Sequence, residues 1–160
     1  MKVATIHELK NELNVTAPQK LLDLCLHLAK YKKENKELLT YLLFESNDEQ
    51  AYVLTIKAQI DDQFTELPKA NLYLTKKSLR KILRITHKYI KYTGSKQVEV
   101  DILLYFCIKL LKSGITIRKS TAILNLYHQQ IKKINAAIAT FHEDLQHDYL
   151  KELEQLTNTL

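Results

Sequence analysis

Glycine and proline are nearly missing from this chain: each occurs twice in 160 residues, where average usage would supply roughly eleven and eight. Hairpin turns and irregular loops consume both residues, because they need positive φ or a fixed break in the chain. Their scarcity excludes most turn-rich β folds and leaves helices joined by short polar connections. Tryptophan is absent and cysteine occurs only at Cys25 and Cys107, too few and too far apart for a disulfide framework or a CxxC pair. Each cysteine lies in an apolar helical stretch, which predicts two buried small hydrophobes rather than nucleophiles. The longest apolar run, Ile102 to Ile108, falls far short of the roughly 20 residues of a membrane span. The opening Met1-Lys2-Val3-Ala4-Thr5-Ile6-His7 holds no apolar signal segment, so a cytoplasmic protein with no membrane association is expected.

Catalytic motifs are also lacking. His142-Glu143-Asp144-Leu145-Gln146-His147 superficially resembles a zinc motif, but HExxH needs histidines at i and i+4 on one helical face. Here they stand five apart, about 140° around a helix, and a solvated acidic face is the simpler reading. Tyr92-Thr93-Gly94-Ser95-Lys96 has one glycine, whereas a phosphate cradle needs several backbone N–H groups freed by glycines. The histidines are scattered, with no Ser, Cys or Asp at a triad-like spacing. The expectation is a non-enzymatic protein with no cofactor and no metal.

What the chain does have is helical periodicity and start signals. A length of 160 residues suits a single domain spanning 1–160. Thr5-Ile6-His7-Glu8 and Thr16-Ala17-Pro18-Gln19 have the capping-box form. They predict helices through about Leu13 and over about Ala17–Lys32, and a third carries Leu38, Leu39, Leu42 and Leu43 to about Glu45. Ser46-Asn47-Asp48 offers a cap for a fourth helix that Pro68 ends. Asn71 starts a fifth, stopped at Gly94, and a sixth runs from about Lys96 to Ser113. The sixth is apolar around most of its circumference, as befits the middle of a bundle. Its start, Gln97-Val98-Glu99-Val100-Asp101-Ile102, alternates like a strand, but only Ile115 and Ile117 could pair with it, and a lone ribbon is marginal. A last helix begins near Ser120. In it Leu124, Tyr127, Ile131, Ile134, Ile138, Phe141 and Leu145 form a coiled-coil-like seam, either the closing face of the bundle or a homodimer contact. The fold class predicted is all-α: six or seven helices in successive αα-hairpins, as an orthogonal bundle or a short helical-repeat stack. Its expected core is Leu24, Leu28, Leu42, Ile56, Ile60, Leu79, Leu83, Leu103, Phe106, Cys107, Leu110, Ile131, Ile134 and Ile138.

Charge is the feature that stands out. Residues 67–142 hold fifteen Lys and Arg against two acids, while both flanks are net acidic. From Leu67 to Val98 there are nine basic residues and no acid. On a helical projection Lys76, Lys77, Arg80, Lys81, Arg84, Lys88 and Lys91 share a sector of about 140° with Tyr73 at its centre, opposite an apolar half. Like charges at i and i+4 cost a few tenths of a kcal/mol per pair, and the helix carries four such pairs, among them Arg80/Arg84 and Arg84/Lys88. Accepting that cost points to a compensating anion. Internal acids (Asp61, Asp62, Glu66 or the C-terminal ones), a nucleic acid and an acidic protein surface are the options. The expected polyanion-binding residues are Lys77, Arg80, Arg84, Lys88 and Lys91, exposed and mostly without carboxylate partners in the chain. Few aromatics accompany them, so phosphate contact without sequence specificity is the reading favoured. The alternative is a helical scaffold or self-associating module using the 124–145 seam.

Two stretches, Leu24-Cys25-Leu26-His27-Leu28-Ala29-Lys30-Tyr31-Lys32-Lys33-Glu34-Asn35-Lys36-Glu37-Leu38-Leu39 and Glu143-Asp144-Leu145-Gln146-His147-Asp148-Tyr149, resemble a group of small bacterial all-helical proteins with no known activity. The resemblance implies a bacterial origin and carries no function across.

Overall fold

A computed structural model describes residues 2–157. Eight α-helices are present among them: α1 (Ile6–Val15), α2 (Pro18–Tyr31), α3 (Lys33–Thr40), α4 (Glu49–Thr65), α5 (Leu72–Thr93), α6 (Lys96–Lys112), α7 (Thr121–Ile138) and α8 (Glu143–Thr157). A π-helical turn, Tyr41–Glu45, follows α3, and a 3-10 turn, Ile117–Lys119, precedes α7. No strand occurs among the described residues, and the segment with strand-like alternation is the start of α6.

The count of six or seven is corrected to eight, because the last long helix is two. The chain leaves α7 at Ala139, where the Thr140 and Phe141 amides turn back to the carbonyls of Ala137 and Ile138. The Gln146 side chain donates to the Phe141 carbonyl at 2.8 Å and the Ala139 carbonyl at 3.4 Å, satisfying groups the broken helix orphans. Neither Gly nor Pro marks this break, so periodicity ran through it.

Contacts divide the chain expected as one domain into two compact units, Met1–Glu45 and Ser46–Leu160. In the first, Thr5 and Glu8 complete the capping box of α1, and α2 packs on α3 as an αα-hairpin. Asn35 donates to the Leu28 carbonyl at 2.8 Å across that turn. A hairpin covers only one side of each helix, and none of α1, α2 and α3 holds a buried residue. Three residues expected in the core are accordingly corrected: Leu24, Leu28 and Leu42 are 41%, 59% and 54% exposed. Cys25 is exposed as well.

The second unit is built around α6, whose Val98, Val100, Ile102, Leu103, Leu104, Phe106, Cys107 and Leu110 are all buried. Helices α4, α5, α7 and α8 each pack against it. Ile56 and Ile60 from α4, Leu79 and Leu83 from α5, and Ile134 and Ile138 from α7 close on these residues as expected for core positions, while Ile131 is half-buried. Polar ties fix the arrangement. The Tyr105 hydroxyl donates to both Asp61 carboxylate oxygens at 2.7 Å, linking α6 to α4, and Tyr149 donates to Asp101 at 2.6 Å, linking α8 to α6. Burial pushes the Cys107 thiol up to about 12, so it is a protonated core group.

A side chain without exposure leaves a cavity when shortened, typically costing about 2–5 kcal/mol. Leu103→Ala and Leu110→Ala are each expected to lower unfolding free energy by about that amount, measured by urea denaturation. A loss below about 1 kcal/mol at both positions would remove α6 from the centre.

Candidate functional site

Helix α5 opens with the Asn71 side chain accepting from the Tyr73 and Leu74 amides, and ends at Gly94 in the left-handed region with φ 64°. Between these caps its apolar side, Thr75, Leu79, Ile82, Leu83, Thr86 and Ile90, is buried. Seating that side on the unit's core turns the opposite, single-signed side outward. Lys77, Arg80, Lys81, Arg84 and Lys91 are exposed, whereas Lys76 and Lys88 are half-buried. Tyr73 projects at 68% exposure with the Lys76 ammonium 5.0 Å from its ring centroid. Lys88 lies 5.0 Å from the ring of Tyr89.

Three nearby acids are engaged by groups outside the basic face of α5. Asp61 holds Lys109 of α6 at 2.7 Å, not a residue of α5. Burial alone would raise its carboxyl, but the hydrogen bonds from Lys109 and Tyr105 outweigh that and hold it below the usual range. Glu99 holds Lys96 at 2.7 Å, and Asp101 accepts from Tyr149. Among the described residues, no ion pair is formed by Lys77, Arg80, Arg84 or Lys91.

Two grooves run along this face. Both are bounded by α5 on one side and reach Lys133 of α7. One groove, about 740 Å³, is lined by Arg84, Lys88, Lys91, Lys96 and Lys133 with His87 and a single acid, Glu99. The other, about 450 Å³, is lined by Arg80, Arg84, His87 and Lys133 and by the polar Asn125, Gln129 and Gln130, with no acid. Arg84, His87 and Lys133 border both.

His87, Gln130 and Lys133 were not singled out by sequence. His87 falls within the basic sector, between Lys76 and Arg80 on the helical projection, but nothing in a heptad pattern says which side of α7 faces α5. The place of His87 in that sector and the adjacent Lys132-Lys133 pair were the available signals. By contrast the 124–145 seam is not a continuous surface: Tyr127, Ile134 and Ile138 are buried, Leu124, Ile131, Phe141 and Leu145 are half-buried, and the helix carrying them is broken at residues 139–142.

Among the described residues no cluster of three or more His, Cys, Asp or Glu could hold a metal ion, and no helix is long and apolar enough to cross a membrane. Compared with known proteins, the chain matches no family profile, no curated protein and no solved structure.

Burial lowers the His87 imidazole below its ordinary 6.5; Lys133 and, more weakly, Lys91 act the same way, against the Gln130 hydrogen bond and the Glu99 charge. The unfolded chain therefore binds a proton at this position before the folded one does. Stability from neutral His87 is complete above the unfolded value and declines as pH falls through it. The denaturation midpoint is expected to drop between about pH 7.5 and about pH 5, with His87→Gln removing part of the slope. Equal slopes in both proteins would show that His87 contributes nothing to it.

Proposed function

We propose that this protein is a non-enzymatic helical binding module whose α5 face contacts a polyanion, a nucleic acid in the first instance, without reading its sequence. The observation that carries the reading is the face itself. Lys77, Arg80, Arg84 and Lys91 are exposed on one side of one helix, while Asp61, Glu99 and Asp101 are engaged by other groups. In the proposed complex Arg80 and Arg84 supply planar guanidinium forks to phosphate oxygens, and Lys77, Lys88 and Lys91 act as point charges. The counterions condensed on the nucleic acid are released as these groups replace them, which makes binding fall with salt. Tyr73 is the one aromatic exposed at the centre of the face, enough for an occasional stacking contact and too little for a base-reading platform.

The competing reading, a scaffold that self-associates through residues 124–145, has less apolar surface to draw on, since Tyr127, Ile134 and Ile138 are buried. An acidic protein surface would suit the basic face electrostatically and would also bind salt-sensitively.

Short mixed-sequence DNA, single- and double-stranded, is expected to bind at low salt by fluorescence anisotropy, with little difference between sequences. Arg80→Glu combined with Arg84→Glu should weaken binding and flatten the log–log salt slope by about two, roughly one per lost phosphate contact. Stability should change little, because relieving i,i+4 repulsion offsets any local loss. A double variant that unfolds would make the arginines structural. A wild type with no salt-dependent DNA binding would sink the nucleic-acid reading.

A further inference from the structure

We propose that the groove between α5 and α7 seats one phosphate group, held by Arg84, His87 and Lys133. This rests on the polyanion reading above and specifies where on that surface a phosphate is gripped rather than merely attracted.

The argument begins with a hydrogen-bonding conflict at one atom. Gln130 is 3% exposed, and its Nε2 donates to the Leu126 carbonyl at 3.2 Å. A carbonyl only accepts, so this contact fixes the amide orientation and turns Gln130 Oε1 toward His87 Nε2, 3.2 Å away. With Oε1 facing it, Nε2 must carry its hydrogen and donate. Yet Lys133 Nζ stands 3.1 Å from the same Nε2, and an ammonium has only donors. In that tautomer two donors face each other. In the other tautomer Nε2 accepts from Lys133 but turns a lone pair on the Gln130 oxygen. Neither arrangement satisfies both contacts.

An anionic oxygen placed beside Nε2 and Nζ resolves the conflict. It accepts from Lys133, shares the Nε2 hydrogen and leaves the Gln130 contact intact. It would also supply negative charge where cations dominate: Arg84, Lys88, Lys91, Lys96 and Lys133 line the space around His87 with one acid, Glu99, and Glu99 is already held by Lys96. Arg84 borders both grooves on the α5 side and offers the planar fork suited to a phosphate. Asn125 and Gln129 line the same α5–α7 groove with further neutral donors. The enclosure is concave and two-sided, unlike the open ridge formed by Lys77 and Lys81. It draws on two helices, so the grip depends on the tertiary fold. The ligand chemistry is a phosphate oxygen, either a terminal phosphate or a backbone diester.

The test follows the His87 imidazole protons by NMR across pH, assigned by loss of the signal in His87→Gln. Inorganic phosphate is added against chloride at matched ionic strength, followed in separate samples by a short DNA oligonucleotide with or without a 5′-phosphate. A seated phosphate should raise the His87 midpoint by about one pH unit, a tenfold gain in proton affinity. Lys133→Gln, an exposed position on α7, should abolish that response with the fold intact. A response to inorganic phosphate and a stronger one to the 5′-phosphorylated strand supports a terminal phosphate. Equal responses to both strands support a backbone phosphate, and that holds even if free phosphate binds weakly. An unmoved His87 midpoint with every probe overturns the inference. If DNA nevertheless binds in that case, the exposed α5 ridge alone carries the proposed function. A His87 response to phosphate with no DNA binding would keep the groove and defeat the nucleic-acid reading. A response retained in Lys133→Gln would overturn the assignment of Lys133.

Discussion

Helix α6 has to be covered on nearly every side, and most of the larger unit follows from that requirement. Eight of its side chains are buried, each worth about 1.5–3 kcal/mol when fully removed from water for the larger aliphatic and aromatic ones. No single neighbour can shield so wide a circumference, so α4, α5, α7 and α8 distribute themselves around it. Several of the polar groups α6 carries are paired with neighbouring helices. Tyr105 and Lys109 meet Asp61, and Asp101 receives the Tyr149 hydroxyl. These ties give the α4 and α8 contacts a fixed register that apolar packing alone would specify weakly.

The same constraint produces the charged surface. With its apolar half committed to the core, α5 has nowhere to place its basic sector except outward. Asp61 of α4 and Asp101 of α6 are drawn into contacts around α6 instead of pairing with that sector. Asp61 is the clearest case: it is close in sequence to the start of α5 but reaches Lys109 instead. The basic face thus remains open through competition. Beside it, Arg84 and His87 of α5 and Lys133 of α7 border a common space.

The amino-terminal unit shows what happens without a central helix. Its segments have regular periodicity, and α1 a complete capping box, while α2 and α3 start without a side-chain cap; an αα-hairpin has one packed side per helix. A shallow groove of about 300 Å³ lined by Cys25, Leu28, Ala29, Asn35, Leu38, Leu39 and Leu42 lies on this hairpin. Leu28 and Leu42 among them were expected in the core, and Cys25 was expected to be buried.

By itself the sequence determined the class of fold, several of the helix ends and the sign of the surface. Local chemistry decides these: the scarcity of Gly and Pro, the capping residues Thr5, Asp48, Asn71, Ser95 and Ser120, the left-handed Gly94, and a helical repeat with cations confined to one sector. Only the tertiary structure decided which apolar stripes found partners. Leu28 and Leu103 look alike in a periodicity analysis, but one is 59% exposed and the other fully buried, because burial depends on how many other elements arrive. The break between α7 and α8 likewise depends on a Gln146 side chain returning to carbonyls of the preceding turn. The meeting of His87, Gln130 and Lys133 joins residues more than forty positions apart. Such contacts leave no periodic trace in the chain, since spacing along a helix fixes which face a residue occupies and not what lies opposite.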